Sequence, residues 1–383
     1  MNPYKTELRI PGPVPVPPAV LQAASHPMIN HRGREFKDMY PRAMKRLQPI
    51  FGTQQPIYAV TGSGTAGMEA AAVNIVSPGD KVLVPVGGVF GLRWKSILDA
   101  YGADVQLLEY GWGEALDPDT VRSVLQANPD IKAVFTTHNE SSTGVLNDIQ
   151  ALGQAAAGHQ ALLVVDAVSS LGGTPTEMDA WGLDVVCTAS QKCLMVPPGL
   201  AFLAFSPAAM DRSQSVASSR FYFNINRYDE MLAKGETPFT PNISLIYGLE
   251  AALDMIEGEG LERVYARHRL MQTMVRAGVR ALDLPLLVDE ECASPTTTAV
   301  KPEGWDSVDS FRARVRVSMG IELAGGQGPF ADRIFRIGHM GYAGPLDMVS
   351  CLAALEVALD RPGTAVAAAE NVWKQSLLAL EGR

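Results

Sequence analysis

Three residue groups stand where an apolar run gives way to a turn, and each has a chemistry of its own. Lys192 follows the run DVVCTA (184–189) after only Ser190 and Gln191, and no acid lies near it in sequence. Enclosure would lower its pKa and leave a nucleophilic amine suited to Schiff-base formation with an aldehyde. Asp166 closes the run ALLVVD (161–166), where a carboxylate is costly unless it meets a cation or several N–H donors. Thr61-Gly62-Ser63-Gly64-Thr65 follows IYAVT (57–61) and precedes a helical stretch. Its small residues let the backbone approach an anion, and the free N–H groups of a helix start point at that anion.

Taken singly, each group has a plainer explanation. An aspartate after a strand is commonly a helix cap, a lysine after a strand is commonly a surface residue, and a Gly-rich turn is as readily an N-cap. Together they read differently. Asp166 and Lys192 are separated by about one βαβ crossover, and the ligands of open α/β sheets bind beyond the carboxyl ends of the strands. Val168, in Ala167-Val168-Ser169-Ser170, is small enough for a flat ring to lie against it. An aldehyde cofactor that carries a phosphate and a basic ring nitrogen needs this set of partners. The pattern is not GxGxxG and lacks the P-loop lysine, which disfavours a nucleotide-binding dehydrogenase or ATPase.

The elements that must position these residues are legible as alternation. Strands are predicted at IYAVT (57–61), KVLVPV (81–86), DVQLLEY (104–110), IKAVFTT (131–137), ALLVVD (161–166), DVVCTA (184–189) and LAFLAF (200–205). Helical stretches lie between them, among them AGMEAAAVNIV, FGLRWKSILDAYG, PDTVRSVLQAN and IQALGQAAAG. This alternation predicts an α/β domain with a mostly parallel sheet flanked by helices. Past residue 206 the texture changes, with helices expected around 243–257 and 259–282. Weaker strand and helix signals follow at TTTAV, VDSFRARVRVSMG, RIFRIG and DMVSCLAALEVALD. The division expected is an N-terminal arm over 1–20, a large domain over 21–255 and a smaller α+β domain over 256–383.

Composition narrows the function. The chain has 383 residues with a formal net charge of -9 and no run of Lys and Arg, so nucleic acid is not an expected partner. The four cysteines are scattered with no CxxC pair, which gives neither a zinc site nor a disulfide framework and suggests a reducing compartment. The N-terminal MNPYKTELRIPGPVPVPP mixes charges and prolines where a secretory signal needs an apolar stretch. No window is long and apolar enough to span a membrane. The cytoplasm is the expected location, and no metal is expected.

THNESSTGV (137–145), VDAVSSLGG (165–173) and SQKCLMVPPG (190–199) resemble the class V aminotransferases of fold type I, nearest to the alanine–glyoxylate and serine–glyoxylate (serine–pyruvate) group. The likeness runs from RIPGPVPVPP to RIFRIGHMGY. It implies pyridoxal 5'-phosphate held by Lys192 as a Schiff base, with Asp166 paired to the ring nitrogen. Phe90 in GGVFGLRW would stack on the ring where the family often has Trp, so the stacking is kept and the indole N–H is lost. Val168 would cover the other face, and Ser141 would bond near the phenolic oxygen. Ser63, Gly64, Thr65 and Gln191 would hold the phosphate. Thr240, with Thr237 as the alternative, would reach the phosphate of a partner subunit, which makes a homodimer the expected assembly.

Arg336 in RIFRIGHMG would clamp the substrate carboxylate. His31 and Arg32 are weaker substrate contacts, His138 and Glu140 would back up Ser141, and His339 is more plausibly a loop residue. The implied reaction moves an amino group from alanine or serine to glyoxylate or another small 2-oxo acid by a ping-pong mechanism. Alternatives are an enzyme for phosphonate or phosphorylated amino acids, with Arg32 and Arg34 as extra cations, a cysteine desulfurase and a non-catalytic binder of the same cofactor. Desulfuration is disfavoured because Cys292 lies among acids in DEECASPTTT.

Overall fold

The computed structural model describes residues 6–381. A short strand β1 (Glu7–Arg9) comes first, then β2 (Ile57–Gly62), β3 (Lys81–Val86), β4 (Asp104–Glu109) and β5 (Ala133–Thr137). A small hairpin follows, β6 (Asn139–Glu140) with β7 (Val145–Leu146), and then β8 (Leu162–Asp166), β9 (Val185–Ala189) and β10 (Gly199–Phe205). Seven of these form one sheet in the order β2-β10-β9-β8-β5-β3-β4. All seven strands predicted from the apolar runs are present.

Strands β4, β3, β5, β8 and β9 are parallel, while β10 runs antiparallel to both β9 and β2. It follows that β2 points the same way as β9, and the carboxyl ends of β2, β3, β5, β8 and β9 share one edge. Helices over Gly64–Ile75, Val89–Ala100, Pro118–Ala127 and Ile149–Ala156 return the chain between successive strands. The central strands β5, β8, β9 and β10 are buried on both faces, so apolar residues run along them rather than falling at alternate positions, while the edge strand β4 is more polar and partly exposed. Leu163 and Val165 enter one core with the helix Arg34–Phe51, and Val164 enters the opposite core with the helix Gly64–Ile75.

A second sheet is built from β11 (Thr297–Val300), β12 (Ile321–Gly325) and β13 (Phe335–Gly338), in the order β1-β12-β13-β11. Its core includes Met271, Val275, Phe311, Phe335 and Leu352, drawn from the strands and the surrounding helices. The N-terminal segment therefore adds a strand, β1, parallel to β12. From there residues 10–14 cross to the large sheet as a strap. The strap lies so close to β13 that a Cβ on Gly338 would stand 2.1 Å from the carbonyl oxygen of Ile10. Among the described residues, no helix is long and apolar enough to cross a membrane.

Phe335 is fully buried, with ring centroids 5.6 Å from Phe311 and 6.4 Å from Trp305. Phe335→Ala should remove about 3–5 kcal/mol from the unfolding transition of this part of the chain, read by urea denaturation. A loss below about 1 kcal/mol would contradict this packing.

Candidate active site

β9 ends at Ala189, and the turn after it carries Lys192. Ser190 fixes that turn: its N–H donates to Leu200 O at 3.0 Å and its Oγ donates to Pro197 O at 2.8 Å. The amine of Lys192 donates to the carbonyl oxygen of Pro11 in the strap, and the N–H of Val14 donates to Gln191 O at 3.1 Å. Between these contacts Gly12 has φ +118°, and a Cβ there would lie 2.7 Å from Lys192 Nζ. Only glycine fits, because both the left-handed conformation and the space exclude a side chain. Burial pulls the Lys192 pKa down to about 8, with the charge of Asp166 working against the shift.

Asp166 ends β8 at the same edge. The N–H of Val168 donates to its Oδ1 at 2.8 Å, and its other carboxylate oxygen takes no hydrogen bond from the described residues. Burial pushes the Asp166 carboxyl up to about 6; the Val168 N–H opposes this and the nearby charge of Glu140 adds to it. Val168 packs on Gly64, where a Cβ would meet both of its methyl groups at 3.1 Å. That contact sets how far Val168 stands off the edge.

Gly64 begins the helix Gly64–Ile75, whose N-cap, Ser63, makes no side-chain capping bond. Other α-helices capped by Asp, Asn or Ser use that side chain: Asp117 accepts from Asp119 and Thr120, Asp148 from Ala151 and Ser206 from Ala209. The donors at residues 63–65 are thus left for something outside the helix. Gln191 Oε1 is buried with no partner among the described residues. The hydroxyl of Ser141 is likewise unpaired, although the residue is buried.

Phe90 lies in the first turn of the helix Val89–Ala100, and Glu140 brackets that turn. Its Oε2 accepts the N–H groups of Phe90 at 3.0 Å and Gly91 at 3.1 Å. Its Oε1 accepts the Ser142 N–H at 3.2 Å and the Ser142 hydroxyl, whose oxygen in turn accepts the Val89 N–H at 3.1 Å. Acidic side chains suit a helix N-terminus, and four donors offset much of the cost of burying this one. Burial still raises its pKa, against those hydrogen bonds.

Arg336 arrives from β13 in the other sheet. Its Nε and Nη2 donate to Gly325 O at 2.9 and 2.7 Å, and Nη1 donates to Ser141 O at 2.7 Å. Each terminal nitrogen keeps one N–H, the geometry a carboxylate accepts in bidentate fashion. Burial lowers its pKa to about 10, with Glu140 opposing, so it stays a cation at neutral pH. Pro11, Gly12, Phe90, Ser141, Lys192 and Arg336 line one cavity of about 460 Å³, a size that suits a small cofactor with a small substrate.

Other residues singled out in the sequence lie elsewhere. Arg32 donates to Glu236 and to Thr237 O, and neither it nor His31 lines the cavity. Arg34 is exposed beside Asp38, so the cations near the cavity mouth are Arg312 and Arg316 instead. Thr237 is buried and donates to Phe239 O, whereas Thr240 is exposed. His339 is buried between Thr298 and Pro295 O, and burial lowers its pKa to about 3, which fits a packing role. Cys292 is half-buried, and burial and its acidic neighbours raise its thiol pKa. Among the described residues, no three His, Cys, Asp or Glu side chains gather as metal ligands.

The sequence reading passed over the strap and Arg93. A Gly-Pro pair at 12–13 signals a turn but not its neighbour. Arg93 lies three residues after Phe90, the spacing that puts both on one helix face.

Pyridoxal phosphate fits the set of groups left unsatisfied. The open Asp166 oxygen suits a ring nitrogen, the Ser141 hydroxyl a phenolic oxygen, and the uncapped helix start a phosphate, toward which Gln191 could donate only through its Nε2 amide and not its Oε1. The matching family model is aminotransferase class-V, over residues 19–328. The chain belongs to the class-V aminotransferase family. A relative from Anabaena cylindrica named soluble hydrogenase 42 kDa subunit is 42% identical over 380 residues, covering 96% of this chain and 99% of that one. The L-aspartate–glyoxylate aminotransferase of Paracoccus denitrificans is 37% identical over 390 residues, 97% of each chain. Among solved structures, the ureidoglycine–glyoxylate aminotransferase of Bacillus subtilis superposes with a TM-score of 0.91 at 32% identity, covering 98% of this chain and 99% of that one.

In this class-V aminotransferase the cofactor-free state bears the cost of the buried Asp166 charge. Its folded pKa is raised, so the cost is full above pH about 6 and gone below the ordinary value of 3.8. Asp166→Asn should therefore stabilise the cofactor-free protein by roughly 1–3 kcal/mol at pH 7.5, a gain that disappears toward pH 4, while activity falls. Equal denaturation midpoints for the two proteins across that range would contradict the burial argument.

Proposed function

We propose that the chain transfers an amino group from a small amino acid, alanine or serine, to glyoxylate or another small 2-oxo acid, with pyridoxal 5'-phosphate as cofactor. The observation that carries this reading is one cavity lined by an amine of lowered pKa and a carboxylate-binding guanidinium, Lys192 and Arg336, with the buried Asp166 at the same sheet edge.

When bound, the cofactor supplies an aldehyde and a ring that accepts electron density. Lys192 Nζ would hold that aldehyde when no substrate is bound, and with a substrate in place would take and return the proton at its Cα. With a pKa near 8, a sizeable fraction of Nζ is neutral at pH 7.5 and able to take that proton. Asp166 keeps a ring nitrogen protonated, and that contact gives its open oxygen a partner. Arg336 fixes the substrate carboxylate with its two remaining N–H groups, which orients Cα toward Lys192. Phe90 and Val168 sandwich the ring, and Ser63, Gly64, Thr65 and Gln191 receive the phosphate.

Donor and acceptor differ at one carbon, amine against ketone, so the same residues serve both half-reactions in alternation. We assign the exposed Thr240 to the phosphate of a partner subunit in a homodimer. Arg32, bonded to Glu236 and Thr237 O, and the neighbouring His31 we assign to that boundary, where alone they would touch substrate. Four unpaired cysteines and the acidic net charge support a cytoplasmic location.

The test is a half-reaction on the reconstituted protein. Alanine or serine should bleach the absorbance of the bound cofactor, and glyoxylate should restore it. Lys192→Ala should abolish turnover, and Arg336→Ala should raise KM for both amino and oxo acid by roughly 10- to 100-fold. Wild-type protein that binds no pyridoxal phosphate, or whose absorbance no small amino acid changes, would contradict the proposal. Hydrogen-dependent dye reduction without amine transfer would do the same, in favour of the activity in the Anabaena relative's name.

A further inference from the structure

Arg93 links two parts of the site that the sequence places apart. Its Nη1 donates to Thr65 Oγ1 at 3.2 Å, and its Cζ stands 4.6 Å above the centroid of the Phe90 ring. One of these neighbours lies in the proposed phosphate cradle and the other is the proposed stacking ring. The guanidinium is half-buried, yet among the described residues it makes no ion pair. Comparable arginines are matched: Arg212 with Asp80, Arg267 with Glu259, Arg276 with Glu290 and Arg9 with Asp347. Arg220, which has no carboxylate, spends its donors on the carbonyls of Ser213 and Val216. Arg93 holds a single hydroxyl.

A second line comes from charge balance. A phosphate monoester carries close to two negative charges at pH 7. The cradle of Ser63, Gly64, Thr65 and Gln191 offers hydroxyls, N–H groups and an amide but no cation. Lys192 is committed to the aldehyde end of the cofactor. A dianion in a part-buried site without a counter-charge is expensive. The positive group next to the cradle is Arg93, and its field also reaches Asp166 and Lys192.

We propose that Arg93 is the counter-cation of the cofactor phosphate, reaching it beside Thr65 while its plane rests on Phe90. The inference rests on the pyridoxal-phosphate reading above and extends it to a residue outside the cradle motif. Stacking suits the role, because the guanidinium is planar and weakly hydrated and its aromatic support fixes it before the anion arrives. One of its five N–H donors is used on Thr65, and the rest remain for phosphate oxygens.

The experiment titrates cofactor-free wild type, Arg93→Gln and Arg93→Lys with pyridoxal phosphate and, separately, with pyridoxal, which lacks the phosphate. Binding is read by protein fluorescence, and the fold of each variant is checked by circular dichroism. Arg93→Gln should lose roughly 10- to 100-fold in affinity for pyridoxal phosphate and stay within about twofold for pyridoxal. Arg93→Lys, which keeps the charge and loses the planar fork, should retain most of the preference for the phosphorylated ligand. Two results would overturn the inference: an equal loss for both ligands in Arg93→Gln, which marks a tether for Phe90, or no loss for either. If Arg93→Gln does not fold, Arg93→Lys decides, since a preference as small as that for bare pyridoxal would also overturn it. Failure of the parent reading looks different, because wild type would then bind neither ligand.

Discussion

Keeping two opposite charges out of water at the edge of one sheet is the constraint to which the rest of the structure answers. Lys192 and Asp166 are both buried strongly enough to move their pKa values toward neutrality, the amine down to about 8 and the carboxyl up to about 6. For Asp166 the displacement from 3.8 corresponds to about 3 kcal/mol, a sizeable share of the stability of an ordinary domain. A fold tolerates such a cost when the groups are needed unpaired. Among the described residues, one carboxylate oxygen of Asp166 takes no hydrogen bond and the Lys192 amine has only the carbonyl of Pro11, so each is available to a ligand.

The surroundings hold that edge in place. Glu140 pins the first turn of the helix carrying Phe90, and Gly64 lets Val168 settle against the cradle. Arg336 comes from the other sheet and donates to Gly325 O on that side and to Ser141 O in the turn between β6 and β7, so its guanidinium is anchored from both sides of the cavity. The strap at 10–14 likewise joins the two sheets from the N-terminal side. These contacts make the cavity a junction between two sheets, a common place for a small-molecule site.

Much of this was readable in the sequence, for a physical reason. Strands buried on both faces need mostly apolar residues, so VVCTA and LLVVD stand out, and the polar residues at or just after their ends, Asp166 and Ser190-Gln191-Lys192, mark the ligand edge. What stayed hidden depends on pairing across long separations. β1 is three residues long and is defined only by its register with Ile321–Leu323. β12, IELAG, is too short and too mixed in polarity to declare itself. The requirement for glycine at position 12 comes from its φ of +118° and from the Lys192 side chain packed against it, neither of which its neighbours in sequence reveal. Arg93 was visible as a letter in GGVFGLRW, but its lack of a carboxylate partner is a fact of three dimensions. Arg32 shows the converse, since a recognisable residue of the His31-Arg32 dipeptide lies against Glu236 and Thr237 and does not line the cavity.

The central claim is that Lys192 is the amine that holds the cofactor, and its most direct test is covalent. Protein reconstituted with pyridoxal phosphate is reduced with borohydride, digested and mapped by mass spectrometry. The account predicts a single reduced pyridoxyl adduct on the peptide that contains Lys192. An adduct on another lysine, or none on a protein that retains the cofactor, would contradict it.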